Sequence, residues 1–264
     1  MNDLTGRRRA LKSKLKKRER VFAGWTSLAH PSISEIFCRA GVDFVGIDIE
    51  HSTISQEQAQ RIIAACQASG SLCLPRVASH NMEMIKRLLD SGADGIIVPT
   101  VSTPEEVERL VSWCKYSPEG KRGFGIARAQ GYGFDFADYT TEWNKTSSLI
   151  IQIETVEGVN NIDRLLGYEA VDAAMVGPYD LSASLGVPGQ LEHPRVTDAC
   201  KRIVEACARR GKSCGTQMIE PDGQNLSASF ALGYTFIVLS SDIFLLWKWS
   251  ERMGALVREL RAGR

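Results

Sequence analysis

The chain has 264 residues, 44% hydrophobic and 24% charged, with a net charge of +1. A single α/β barrel takes roughly 250 residues, so the length suits one large domain whose core needs no disulfide or structural metal. The near-neutral total gives the whole molecule no electrostatic case for nucleic acid, and no apolar run approaches the ~20 residues that cross a bilayer.

Charge is unevenly placed, however. Residues 1–20 hold nine Lys/Arg against Asp3 and Glu19, which makes that segment +7 and leaves −6 for the remainder. Leu11 and Leu15 stand one turn apart and predict a short amphipathic helix against a barrel floor. A basic arm for nucleic acid or membrane is the alternative, but no aromatic residue interleaves the run before Phe22. The basic start leads into no apolar h-region, so no secretory signal is read. Seven cysteines without a C-x-x-C pair fit a reducing cytoplasm, and the seven-residue recurrence of Cys200, Cys207 and Cys214 reads as small core positions.

From there strand-like and helix-period segments alternate. Val21–Thr26 precedes a helix over Ser34–Ala40, Phe44–Ile49 precedes Gln56–Ala68, and Leu72–Val77 precedes Met82–Ser91. Gly95–Pro99 leads to Pro104–Cys114, Leu149–Glu154 to Gly158–Leu166, and Val171–Gly177 to Pro194–Arg210. Lys212–Thr216 leads to Gly223–Leu232, and Tyr234–Leu239 to a last helix over Phe244–Leu260. Eight such units, several with strands apolar on both faces, predict a parallel sheet closed as a (β/α)8 TIM barrel over residues 21–264. A Rossmann-like open sheet is the runner-up, but no G-x-G-x-x-G follows the first strand. Residues 116–147, with five glycines, Arg122 and Arg128, interrupt the rhythm and read as one long irregular loop beside the active site.

Barrel chemistry gathers at the carboxyl ends of the strands. Asp48, Glu50 and His51 end the second strand, Arg76 lies late in the third, Gln152 and Glu154 end the fifth, and Asp180 follows the sixth. Glu154 and Asp180 can hold a hard divalent cation, since oxygen donors suit Mg²⁺ or Mn²⁺; equally, they can be strand-end carboxylates bonded to loop amides. His51 can serve as a general base or as a hydrogen-bonded structural residue. A guanidinium in an apolar strand needs an anion, so Arg76 faces a carboxylate, a substrate oxyanion or both. No lysine stands at a strand's carboxyl end, and Lys212 sits at the opposite end of its strand, which argues against a Schiff-base aldolase.

In order, Ile47-Asp48-Ile49-Glu50-His51, Pro75-Arg76-Val77, residues 85–93, Ile96-Ile97-Val98-Pro99, Gly120-Lys121-Arg122-Gly123, Ala127-Arg128-Ala129, Gln152-Ile153-Glu154-Thr155 and residues 177–186 form a specific set. The chain resembles the HpcH/HpaI aldolases, class II pyruvate aldolases of the phosphoenolpyruvate/pyruvate barrel superfamily, over about residues 20–245. The resemblance implies Glu154 and Asp180 as ligands of a divalent ion (Mg²⁺ or Mn²⁺, with Co²⁺ as a third candidate) and Gln152 beside it. It implies a pyruvate-carboxylate seat at the main chain of Gly177 and Pro178, Arg76 on the keto oxygen, and His51 partnered by Asp90 as the acid–base pair. Ile49 departs from the family's usual small residue there, and residues 215–219, which shape aldehyde selectivity in relatives, name no substrate.

The implied reaction cleaves or forms a 4-hydroxy-2-oxo acid from pyruvate and an aldehyde, in the cytoplasm, with neither nucleic acid nor membrane as partner. A homo-oligomer is implied, a hexamer built as a trimer of dimers that exchange the C-terminal helix, and Phe244, Leu245, Leu246, Trp247 and Trp249 make that end apolar. A citryl- or malyl-CoA lyase of the same superfamily is the nearest rival. A non-catalytic barrel binding nucleic acid through residues 1–20 is the rival from another class.

Overall fold

The computed structural model describes residues 3–263. Asp3 accepts a hydrogen bond from the Gly6 amide at 2.7 Å and caps the first helix, α1 (Leu4–Lys16). Eight parallel strands then close on themselves in sequence order: β1 (Val21–Thr26), β2 (Phe44–Asp48), β3 (Leu72–Arg76), β4 (Gly95–Val98), β5 (Ser148–Ile153), β6 (Ala173–Val176), β7 (Ser213–Met218) and β8 (Phe236–Leu239). The returning helices are α2 (Pro31–Arg39), α3 (Gln56–Ala68), α4 (Met82–Asp90), α5 (Pro104–Cys114), α6 (Phe136–Thr146), α7 (Val156–Leu165), α8 (Pro178–Ser184), α9 (Pro194–Arg209), α10 (Gly223–Ala231) and α11 (Asp242–Ala262). The closed (β/α)8 barrel is the expected architecture.

Local chemistry explains the boundaries. Ser55 with Gln58, and Thr103 with Glu106, form reciprocal capping boxes at α3 and α5. Proline occupies the first turn of α2, α5, α8 and α9, where a missing N–H costs nothing. Two expectations need correction. Residues 116–147 are not wholly irregular: a 3-10 turn, Arg128–Gly133, leads into α6, which buries Tyr139, Trp143 and Thr146. Nor does β6 run straight on to α9, because α8 intervenes, too short for a periodic signal.

Two cores result. The outer one packs strand faces against the helices. The inner one fills the barrel with Trp25, Phe44, Leu74, Ile150, Met175 and Phe236, and Leu11 and Leu15 of α1 close it from below. Gly46 and Gly215 are small because the Trp25 and Phe236 rings occupy the space a Cβ would need. Burying one leucine such as Leu15 is worth roughly 1.5–3 kcal/mol.

Five basic residues of α1, and Arg18 just beyond it, are bound to the floor. Lys12 reaches Asp172 and Lys14 reaches Asp43, each at 2.6 Å; Arg8 lies 3.9 Å from the buried Asp94, and Arg9 pairs with Glu142 at 2.6 Å. Arg7 donates to the Gly70 carbonyl, and Arg18 donates to those of Lys212 and Gly233. Lys212 itself donates to the carbonyls of Tyr168, Glu169 and Val171, away from the mouth. No helix among the described residues is long and apolar enough to cross a membrane.

Candidate active site

Parallel pairing sets Asp48 of β2 directly against Arg76 of β3. Arg76 Nη2 donates to Asp48 Oδ2 at 2.8 Å and Nε to Asp48 Oδ1 at 3.3 Å, a two-point grip that fixes the guanidinium plane. Its third edge donates to Gln152 Oε1 at 3.4 Å, and one face lies over the Trp25 ring, 5.1 Å from the centroid. The group is only 9% exposed. Asp48 also accepts from the backbone amides of Glu50 (3.2 Å) and His51 (3.1 Å), so one carboxylate orients the arginine and shapes the turn that presents His51.

Glu50 completes the arginine's surroundings. Its Oε2 lies 3.2 Å from Arg76 Nε and 3.7 Å from His51 Nε2, yet no donor is aligned for a hydrogen bond to that buried oxygen. Burial pushes the Glu50 carboxyl above its usual range; Arg76 opposes this, and the nearby Glu154 charge adds to it. His51 stands at the rim with its side chain 64% exposed.

Across the mouth, Glu154 follows β5 and is 4% exposed. Its Oε1 accepts from the Thr100 amide (2.7 Å) and hydroxyl (2.8 Å), and its Oε2 accepts from Gln152 Nε2. Thr100 reaches it from the end of β4 through a left-handed backbone, φ 56°, unusual for a β-branched residue. Gly177 is glycine because a Cβ there would strike the Glu154 carboxylate. Asp180, in the first turn of α8, is exposed. With His51, Arg76, Gln152, Gly177 and Pro178 it lines a cavity of about 200 Å³, walled by Met175, Tyr179, Gln217, Ile219 and Phe244. Larger cavities occur at the floor, one of about 530 Å³; of the two α1 lysines that line it, Lys12 is tied to Asp172.

The structure therefore gathers His51, Arg76, Gln152, Gly177, Pro178 and Asp180 around one cavity, with Glu154 bonded to Gln152 behind it. Asp90 stands apart from the His51 of its own chain. It closes α4, and a helix returning antiparallel to its strand ends at the floor. There its carboxylate binds Arg122 at 2.7 Å, beneath the rings of Tyr116, Tyr139 and Trp143. Among the described residues no hydrogen bond or ion pair joins Asp90 to His51. Sequence reasoning gave no role to Asp48, Glu50 or Thr100. The first two announce themselves as carboxylates flanking a strand end, whereas Thr100 depends on a backbone angle that carries no sequence signal.

Asp48 and Glu50 flank the Arg76 guanidinium, Asp180 shares its cavity and Glu154 bonds the neighbouring Gln152, and one oxygen of Glu50 is buried without a donor. Such an excess of hard oxygen donors suits a divalent cation. Among the described residues no group of three or more His, Cys, Asp or Glu is arranged to hold a metal.

Known proteins bear the same stamp. Residues 22–248 match the model of the HpcH/HpaI aldolase/citrate lyase family. A hydroxypyruvate/pyruvate aldolase of Roseobacter denitrificans is 34% identical over 92% of this chain and 95% of its own. A 5-keto-4-deoxy-D-glucarate aldolase of Shigella dysenteriae is 35% identical over 83% and 85%. The crystal structure of a family protein from Burkholderia cenocepacia superposes with a TM-score of 0.88 at 29% identity, covering 95% of this chain and 99% of that one. The chain belongs to the HpcH/HpaI aldolase/citrate lyase family and is a carbon–carbon lyase.

Proposed function

We propose that this protein is a divalent-metal aldolase that cleaves 4-hydroxy-2-oxo acids to pyruvate and an aldehyde, and joins them in reverse. The observation that carries the reading is the buried Arg76, fixed by Asp48 and Glu50, opening onto the same cavity as Asp180 and Gln152. Glu154 and Asp180 would hold the ion, with Mg²⁺ and Mn²⁺ preferred and Co²⁺ as a third candidate, and Gln152 positions the Glu154 carboxylate. When bound, such an ion supplies Lewis-acid stabilisation of negative charge on a 2-oxo acid.

The remaining work falls to the chain's own groups. The main chain at Gly177 and Pro178 seats the substrate carboxylate. His51 takes the proton of the C4 hydroxyl, and its ring, 3.7 Å from Glu50, gains a carboxylate neighbour for the charge it acquires. As the C3–C4 bond breaks, the aldehyde departs and the electron pair remains on the three-carbon enolate. Arg76, already oriented and screened from water, offsets that charge without reorganising. Protonation at C3 yields pyruvate.

The apolar outer face of α11 (Leu245, Leu246, Trp249, Leu256, Leu260, all exposed) supports a homo-oligomer, while Asp242 holds the first turn of α11 to its own barrel through the Ser27 and Leu28 amides. The functional test is pyruvate release from 4-hydroxy-2-oxo acids, compared with citryl- and malyl-CoA. Release from the oxo acids, lost with EDTA and restored by Mg²⁺ or Mn²⁺, is expected; turnover of the thioesters alone would transfer the assignment to the CoA lyases.

A further inference from the structure

The grip on Glu154 is itself held from outside the cavity. Thr100 gives both its amide and its hydroxyl to Glu154 Oε1, at 2.7 and 2.8 Å, and does so at φ 56°. A β-branched residue is strained there, so the contacts around it must enforce the angle. Downstream, the Val101 amide donates to the Gln152 carbonyl at 3.1 Å, and Asn161 Nδ2 donates to the Ser102 carbonyl at 2.8 Å. Ser102 Oγ also shares a hydrogen bond of 2.6 Å with Thr155 Oγ1.

Upstream, the contact comes from His80, in the loop between β3 and α4. Its Nε2 lies 2.7 Å from the Pro99 carbonyl oxygen, and since a carbonyl only accepts, Nε2 donates. Its Nδ1 faces Glu106 Oε1 at 3.7 Å, while Glu106 Oε2 accepts from the Ser102 and Thr103 amides at 2.8 and 2.9 Å. The Pro99 carbonyl and the Thr100 N–H belong to one planar trans peptide and point in opposite directions. That unit is pinned at both ends, by His80 on its oxygen and by Glu154 on its nitrogen. Turning the plane over would return Thr100 to negative φ, relieve the strain and swing the amide away from Glu154. The His80 bond opposes that rotation, and by polarising the peptide it strengthens the N–H as a donor.

We propose that His80 is a positioning residue: it latches the Pro99–Thr100 peptide in the orientation that holds the Glu154 carboxylate toward its cation. The inference rests on the reading of Glu154 as a ligand given above. His80 itself touches neither the cavity nor Glu154 among the described residues.

Mn²⁺ affinity of the intact protein, followed by electron paramagnetic resonance, tests it through a double-mutant cycle. His80→Phe keeps a ring and removes the donor, His80→Ala removes both, His80→Gln keeps a donor, and Thr100→Gly accepts the positive φ without strain. His80→Phe and His80→Ala should each weaken Mn²⁺ binding on the order of tenfold or more, and His80→Gln should keep most of the affinity. In the Thr100→Gly background the same loss of the donor should cost less than about threefold, because the peptide no longer gains by turning. Equal losses in the two backgrounds, or undiminished binding in both His80→Phe and His80→Ala, overturn the inference and leave the ligand reading intact. Glu154→Gln is the reference: binding undiminished there overturns the ligand reading, and this inference with it.

Discussion

The two ends of the barrel treat charge in opposite ways. At the floor, Lys12, Lys14, Arg7, Arg8 and Arg9 of α1, and Arg18 just beyond it, each find a carboxylate or carbonyl, and α1 plugs the inner core with Leu11 and Leu15. At the mouth, two carboxylates grip the one guanidinium, Asp180 and Glu154 stand near it with no cation of their own among the described residues, and an oxygen of Glu50 is left without a hydrogen bond. Paired charges hold a fold in register, whereas an unbalanced set inside a cavity is tolerable only where a ligand completes it. A basic segment with the composition of a nucleic-acid arm thus serves as a stopper, and a strand end of ordinary composition becomes the place of chemistry.

The contrast is sharpest where function and stability can be separated by substitution. Arg76→Lys keeps the charge but loses the fork held by Asp48, so turnover should fall by about 10²–10³ while the thermal midpoint changes little. A variant that melts early yet keeps its turnover would assign Arg76 to the scaffold. At the other end, Leu15→Ala opens a void between α1 and the barrel. It should lower unfolding free energy by about 2–5 kcal/mol, with kcat of the folded protein preserved. A large change in kcat with little in stability would break the division.

Between these lies a pH effect. Burial, reinforced by the neighbouring Lys12, pulls the Lys115 ammonium down to about 8 from its ordinary 10.5, although it donates to the Asn144 and Ser147 carbonyls and the Ser147 hydroxyl. From about pH 8 to 10.5 the unfolded chain keeps this proton and the folded chain has released it, so stability gains from this group as pH rises. Relative to Lys115→Met, the unaltered protein should gain about 1–3 kcal/mol across that window in urea titrations. A difference that does not change across the window would mean the amine stays charged in the folded protein. The smallest effect belongs to the exposed pair of Arg61 and Glu57 on α3, where Arg61→Ala should alter stability by less than about 0.5 kcal/mol.

Periodicity made the barrel legible, because both-face burial leaves uninterrupted runs such as Leu-Ile-Ile-Gln-Ile in β5, and Val21–Thr26 is a strand with the expected ends. Polar residues inside such runs, Arg76 and Gln152 above all, pointed at the mouth for the same reason. The helix α6 was hidden by the glycines before it and by a sequence rich in threonine and aromatics, whose helical state rests on burial of Tyr139 and Trp143. Motif order says nothing about which end of the barrel Asp90 occupies. The direction of α4 does, and it sends that carboxylate to Arg122. Thr100 could not be read at all, since its grip on Glu154 depends on φ rather than on residue type.

The central claim is that Glu154 and Asp180 together complete a cation site at the mouth. Titration of Mn²⁺ followed by electron paramagnetic resonance tests it without reference to turnover. One bound ion per chain is expected, with affinity falling sharply in Glu154→Gln and in Asp180→Asn. Binding undiminished in both variants would contradict the account.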